Sequence, residues 1–134
     1  MVSFICKAAL NCYLWLMKKI YYLSTCSTCA EIMKEANINE QTGFELQDIR
    51  TQPMTSAQLD EMKKLAGSFE SLFSRRALKY KELGLKDKAL TEKDYKNYIL
   101  EHDTFLKRPV IILGDQIFIG SEKKNIAALK EALK

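Results

Sequence analysis

An α/β fold built on a mixed four-stranded sheet is the class this sequence predicts, and three observations predict it. A β-rich tetrapeptide at residues 20–23 (Ile, Tyr, Tyr, Leu) leads through a polar turn into a helical pattern and on to a second strand pattern at 44–49. Residues 55–101 carry helical signals almost throughout. A hairpin pattern at 110–119 and an amphipathic helix then close the chain. The predicted order is β-α-β, a helical insertion at about residues 54–104, and β-β-α.

Each element has a local reason. The first helix repeats apolar residues at Cys29, Ile32, Met33 and Ala36, one face of a 3.6-residue period. The second strand, FELQDI at 44–49, alternates apolar and polar residues, which predicts one buried face. Short links between strand, helix and strand imply a right-handed parallel unit. Residues 50–53 read as a turn. Thr55 with Gln58 three places later is a capping box, opening a helix through Leu59, Met62 and Leu65 that stops at Gly67. Residues 69–73 suggest a short helix and residues 80–85 a further short element. Thr91 with Asp94 heads a helix at Glu92–Glu101 with Tyr95, Tyr98 and Ile99 inward. Val110–Leu113 is a continuous β-rich run, Gly114 and Asp115 form the turn, and residues 116–119 return. Gly120 and Ser121 are expected to cap the last helix, with Ile126, Leu129, Ala132 and Leu133 inward.

This order is the thioredoxin-like plan with a helical insertion. It places Cys26-Ser-Thr-Cys29 at the junction of the first strand and first helix. There, unpaired backbone N–H groups and the positive end of the helix dipole favour a thiolate at Cys26. Cys29 lies one turn further in on the same side. A zinc site would need two more ligands at a recognisable spacing, and Cys6, Cys12 and the single histidine, His102, do not supply them. The expectation is a redox pair and no metal. In this plan the residue opening the third strand faces the redox turn; here it is Pro109, preceded by Arg108, and a cis bond there would bring Arg108 beside Cys26.

The composition narrows the remaining choices. The 134 residues suffice for one domain with a genuine core, and 47 % hydrophobic residues exclude disorder. The net charge of +4, from 21 basic and 17 acidic residues spread along the chain, is too mild for nucleic-acid binding and is compatible with small anionic substrates. Four cysteines, two of them at redox spacing, point to a reducing, cytoplasmic compartment. Residues 1–16 are mostly apolar, too short for a membrane span, and flow directly into the first strand. They are read as an extension arising from the choice of start site, with Met17 the natural start and residues 17–134 the domain; a signal anchor and an extra packed helix are the alternatives.

Four stretches together carry a resemblance: YYLSTCSTC at 21–29, LFSRRALKYKELGL at 72–85, EHDTFLKRPVIIL at 101–113 and IFIGSE at 117–122. Over about residues 18–134 the chain resembles the ArsC-like family, which includes glutaredoxin-linked arsenate reductases, the Spx regulators and YffB-type proteins. The resemblance implies a thioredoxin fold, Cys26 as nucleophile, Cys29 as resolving thiol, and arginines that hold an oxyanion. Arg108, before Pro109, matches the arginine of the family's Arg-Pro pair. Arg76 matches the arginine of the insertion, with Arg75 adjacent. Arsenate reductases of this type carry a further arginine after the hairpin, where this chain has Ile119; they generally lack the second cysteine, and relatives often carry a basic residue where Ala30 stands. Ser27, Thr28, Arg76 and Pro109 are the expected substrate contacts.

Two functions compete. One is a cytoplasmic, monomeric thiol-dependent reductase acting on a small oxyanion or disulfide, with no bound cofactor, no membrane and no nucleic acid. Glutathione or another small thiol, glutaredoxin or thioredoxin would recycle it. The alternative is an Spx-like redox sensor that contacts RNA polymerase. His102 and the aromatic residues Tyr21, Tyr22, Tyr95, Tyr98 and Phe105 are expected to be structural, His102 at the end of a helix.

Overall fold

The computed structural model describes residues 17–134, so the expectations for residues 1–16 lie outside the described residues. Strand β1 spans Lys18–Tyr22, helix α1 Ser27–Glu35 and strand β2 Glu45–Asp48. Helices α2 (Ser56–Ala66), α3 (Leu78–Glu82) and α4 (Glu92–Glu101) follow, then β3 (Val110–Leu113), β4 (Gln116–Ile119) and α5 (Lys123–Ala132). The sheet order is β2-β1-β3-β4, with β1 parallel to β2 and antiparallel to β3, and β3 antiparallel to β4. This is the expected mixed sheet.

Alternation along the strands splits the core in two. Ile20, Leu46, Ile111 and Phe118 face α1 and α5, where Ile32, Ile126 and Leu129 meet them together with Phe44. Tyr21, Val110 and Ile112 face the insertion and pack with Leu59, Met62, Phe73, Tyr95, Ile99 and Phe105. Both faces are covered, which corrects the expectation of one buried face on β2. Gln47 is buried at 7 % exposure opposite Leu46. Its amide is satisfied: it donates to the Gln52 carbonyl at 3.0 Å and exchanges hydrogen bonds with Gln58 at 3.1 and 2.8 Å. Gln58 also accepts from the Thr55 N–H, while the Thr55 hydroxyl accepts from the Gln58 N–H, so the expected capping box ties α2 to β2.

Other differences are local. β1 begins at Lys18, before the apolar run, because Lys19 is a ladder residue; its ammonium lies 3.5 Å from Glu45 and over the Tyr21 ring. Residues 69–73 make only a single 3₁₀ turn, Glu70–Leu72. The stretch 55–101 is therefore less helical than its pattern, because residues 72–74 leave the helix to pair with 105–107. Phe73 bridges Leu106, the Ser74 N–H donates to the Phe105 carbonyl at 2.6 Å, and the Lys107 N–H donates to the Leu72 carbonyl at 2.8 Å. Phe73 stacks on Phe105 at 5.0 Å and meets Tyr95 at 4.9 Å, which locks that pairing. The N-cap of α5 is Glu122 rather than Ser121, with no side-chain cap bond, and Ala132 faces solvent. Thr91 and Asp94 form their capping box, and His102 is the C-cap of α4, its N–H donating to the Tyr98 carbonyl at 3.0 Å.

Candidate active site

Leu23 ends the apolar strand, and the chain turns so that the Cys26 N–H donates to the Leu23 carbonyl at 3.0 Å. Cys26 is the N-cap of α1, with extended backbone (φ −90°, ψ 110°), and its sulfur accepts from the Cys29 N–H at 3.4 Å. The sulfur takes the place that a serine or aspartate oxygen fills in an ordinary cap. Burial alone would raise the Cys26 thiol pKa. The N–H and thiol of Cys29, the charge of Arg108 and the Thr28 N–H outweigh burial and hold it below the ordinary thiol value. Cys29, one turn on, is 0 % exposed. Burial pushes its thiol up to about 12, the neighbouring Cys26 sulfur adding to the rise while Arg108 opposes it. Both cysteines are free thiols. Two sulfurs at one helix turn thus differ in opposite directions: one is half-buried and acidic, the other sealed and protonated.

Cys26 opens onto a cavity of about 510 Å³. Thr28 lines it from α1, Arg75 and Arg76 from the loop before α3, Lys107 and Arg108 from the segment before β3, and Ile119, Ser121 and Glu122 from the end of β4. The pairing of residues 72–74 with 105–107 brings the two arginine-bearing segments side by side. The Arg108-Pro109 bond is cis, and the buried Pro109 accepts the Gly120 N–H at 2.9 Å through its carbonyl.

The predicted site residues separate accordingly. Cys26, Thr28, Arg76 and Arg108 share one cavity wall. Ser27 is exposed on the first turn of α1, and neither it, Cys29 nor Pro109 lines the cavity. Arg75 is committed elsewhere: it donates to Glu70 at 3.0 Å and to the Tyr95 hydroxyl at 3.2 Å. Among the described residues Arg76 and Arg108 make no ion pair or hydrogen bond, and Arg108 Nε is buried without a partner. A buried guanidinium N–H in that state is free to donate to an acceptor. Ile119 gives the cavity an apolar patch where the family resemblance led one to look for an arginine. Sequence reasoning missed Ser71, Ser74, Lys107 and Glu122. Lys107 was legible as the neighbour of Arg108; the two serines depend on the 72–74 pairing, which no local pattern announces.

Among the described residues no group of three or more His, Cys, Asp or Glu is placed to hold a metal ion, and no helix is long and apolar enough to cross a membrane.

Comparison with known proteins identifies the fold and the family. No curated protein matches the chain. Among solved structures, an arsenate reductase from Vibrio cholerae is similar at 19 % identity and a TM-score of 0.69, over 84 % of this chain and 97 % of that one. A protein from Staphylococcus aureus COL is similar at 25 % identity and 0.64, over 84 % and 97 %. An arsenate reductase related protein from Brucella melitensis is similar at 17 % and 0.62, over 84 % and 92 %. At these identities the likeness establishes the thioredoxin-like fold. The ArsC family model matches residues 21–129, from the strand before the cysteines to the last helix, and the chain belongs to the ArsC family, a family of thiol-dependent reductases.

Proposed function

We propose that this protein is a thiol-disulfide reductase in which Cys26 is the nucleophile, Cys29 the resolving thiol and Arg108 the cation that stabilises the thiolate and holds the substrate. The observation that carries the reading is the Cys26 sulfur at the N-terminus of α1, accepting the Cys29 N–H at 3.4 Å on a cavity shared with Arg108. In the first step the Cys26 thiolate attacks one sulfur of a substrate disulfide. A Cys26–substrate disulfide forms, the substrate S–S bond breaks, and the other half leaves as a thiolate that takes up a proton. Cys29 then loses its proton and attacks the Cys26 sulfur, releasing the second substrate thiol. The protein is left with a disulfide between Cys26 and Cys29, oxidised by two electrons. Two equivalents of an external thiol such as glutathione, or one glutaredoxin or thioredoxin dithiol, return it to the reduced state.

Arg76 and Thr28 contact the substrate from the cavity wall. Ser27, next to Cys26 in the chain, and Pro109, next to Arg108, are the further substrate contacts in this reading. An oxyanion substrate such as arsenate would use the same two unpaired guanidiniums, which present paired donors to tetrahedral oxygens. With Ile119 as the third wall, the cavity favours a disulfide, whose carbon substituents gain from an apolar patch, over a bare oxyanion. The protein works as a monomer in the cytoplasm.

The test is reduction of a mixed disulfide, and separately of arsenate, by the reduced protein under a coupled thiol assay. Wild-type rates at least about 100-fold above Cys26→Ser are expected for the disulfide, the scale of loss when a nucleophile is removed. Equal rates for the two proteins on both substrates would end the reading.

A further inference from the structure

Two consecutive arginines stand on the loop before α3, and they are held differently. Arg76 lines the Cys26 cavity and also a second space beside it, of about 590 Å³, and has no ion-pair partner among the described residues. Arg75 lines the Cys26 cavity and not the second space. Its Nη2 nevertheless donates to two groups that do not line that cavity, Glu70 Oε1 at 3.0 Å and the Tyr95 hydroxyl at 3.2 Å.

The Glu70 and Arg75 side chains are about half exposed, at 56 % and 48 %, where a lone ion pair contributes little. Three further features fix this one. The guanidinium carbon of Arg75 lies 5.8 Å from the Tyr95 ring centroid. Tyr95 is buried and packs on Phe73 at 4.9 Å, so its hydroxyl is a fixed acceptor. Glu70 is itself anchored to the start of α4: the Glu92 carboxylate accepts the Phe69 N–H at 2.7 Å and the Glu70 N–H at 3.1 Å.

The charge on the cavity wall shows what this arrangement withholds. The charged side chains that line it without an ion pair among the described residues are Arg76, Lys107, Arg108 and Glu122. With Cys26 ionised, three cations face two anions, a net charge of +1. An uncharged disulfide or a monoanion suits that balance. A tetrahedral dianion calls for one more positive charge, and Arg75 is the one further cation among the described residues that line the cavity.

We propose that Glu70 is a positioning residue that sets the specificity of the Cys26 site: by holding Arg75 at Tyr95 it keeps a third guanidinium from the cavity, and so selects against doubly charged oxyanions and in favour of disulfides. Withholding a contact from the wrong ligand separates two substrates as effectively as adding one for the right ligand. This role rests on the reductase reading above, but the binding test involves no thiol step.

The probe is inorganic phosphate, titrated at constant ionic strength and above neutral pH into the full chain, with the arginine side chains labelled with ¹⁵N. Glu70→Gln should tighten phosphate about tenfold, the worth of one charge-assisted contact. The Arg75 Nε–H signal should then move with phosphate in Glu70→Gln and stay in place in the wild type. In an Arg75→Gln background the same Glu70→Gln change should alter affinity less than about twofold, because the bare charge of an exposed side chain is screened. An equal gain in both backgrounds would reduce Glu70 to a distant charge and overturn the proposal. So would a Glu70→Gln protein that binds phosphate no more tightly than the wild type, or an Arg75 signal that phosphate leaves unmoved in it. A failed double-mutant cycle beside an active Cys26 removes the role of Glu70 and leaves the reductase; a completed cycle beside an inert Cys26 does the reverse.

Discussion

The sheet half of the molecule and its helical insertion hold the site's charges in different ways. Cys26 follows β1 at the mouth of α1, Arg108 precedes β3 and Ile119 ends β4, so the hydrogen-bond ladder anchors the elements that carry them: Tyr21 pairs with Val110, and Val110 with Ile119. Arg75 and Arg76 sit on a loop held by the stack of Phe73 on Phe105 and by the short pairing of 72–74 with 105–107. The first arrangement is rigid because register is quantised. The second depends on side-chain packing, and leaves Arg76 exposed and free to adapt.

Breaking the insertion should have the largest effect. Phe73 is 0 % exposed and touches three other rings; Phe73→Ala should cost about 3–5 kcal/mol in urea unfolding. If the two halves are independent, it should leave the pH profile of Cys26 alkylation in place. Cutting the seam comes next. Gln58→Ala removes the side-chain half of the α2 capping box and leaves the buried Gln47 amide with only its bond to the Gln52 carbonyl, for a loss of about 1–3 kcal/mol by the same measurement.

On the sheet side, Arg108→Met should lower the rate with a disulfide substrate roughly tenfold to 100-fold. It should also move the inflection of Cys26 alkylation to higher pH, because the guanidinium is one of the groups that holds that thiol down. An unmoved inflection would break the link between Arg108 and the sulfur.

The two cysteines carry opposite pH signatures. The folded pKa of Cys26 lies below its unfolded value, so its contribution to stability is full above the unfolded thiol pKa and is lost as pH falls through the folded one. Cys29 is raised to about 12, so above an unfolded value of about 8.5 the unfolded chain has shed a proton that the native state keeps. Stability should therefore fall from about pH 8.5 towards 12, by at most about 1.4 kcal/mol per pH unit from this group. Urea midpoints at pH 8 and 10 should differ less in Cys29→Ala than in the wild type. The smallest effect belongs to Arg76→Gln: stability within about 0.5 kcal/mol of wild type, as for an exposed side chain without a partner, with its consequence confined to substrate binding.

Much of this was legible because it is local. The capping boxes at Thr55 and Thr91 announce their helices by the spacing of a hydroxyl from an amide or a carboxylate three places on, and both form as read. Cys26 at a strand-to-helix turn implies its own electrostatics, since a helix N-terminus always leaves N–H groups unpaired. The hairpin at Gly114 and Asp115 follows from turn chemistry. Gln47 was misread because a polar residue in an alternating strand signals solvent, and only the partner amide from Gln58 makes its burial affordable. At 69–73 the short helix expected forms only as a 3₁₀ turn, Glu70–Leu72, because an apolar run does not reveal that its tail pairs with residues 105–107.

By itself, the sequence determined the order of elements and the place of Cys26 at a helix mouth that favours its thiolate, since each follows from backbone geometry within a few residues; the nearness of Arg108 to that turn came from the fold plan, through the pairing of β1 with β3. Only the tertiary structure decided which arginine stays unpaired, that Cys29 is sealed, and that Ile119 walls the cavity beside a second space. Those outcomes depend on which distant surfaces meet, and burial and pairing are properties of the contact rather than of either partner.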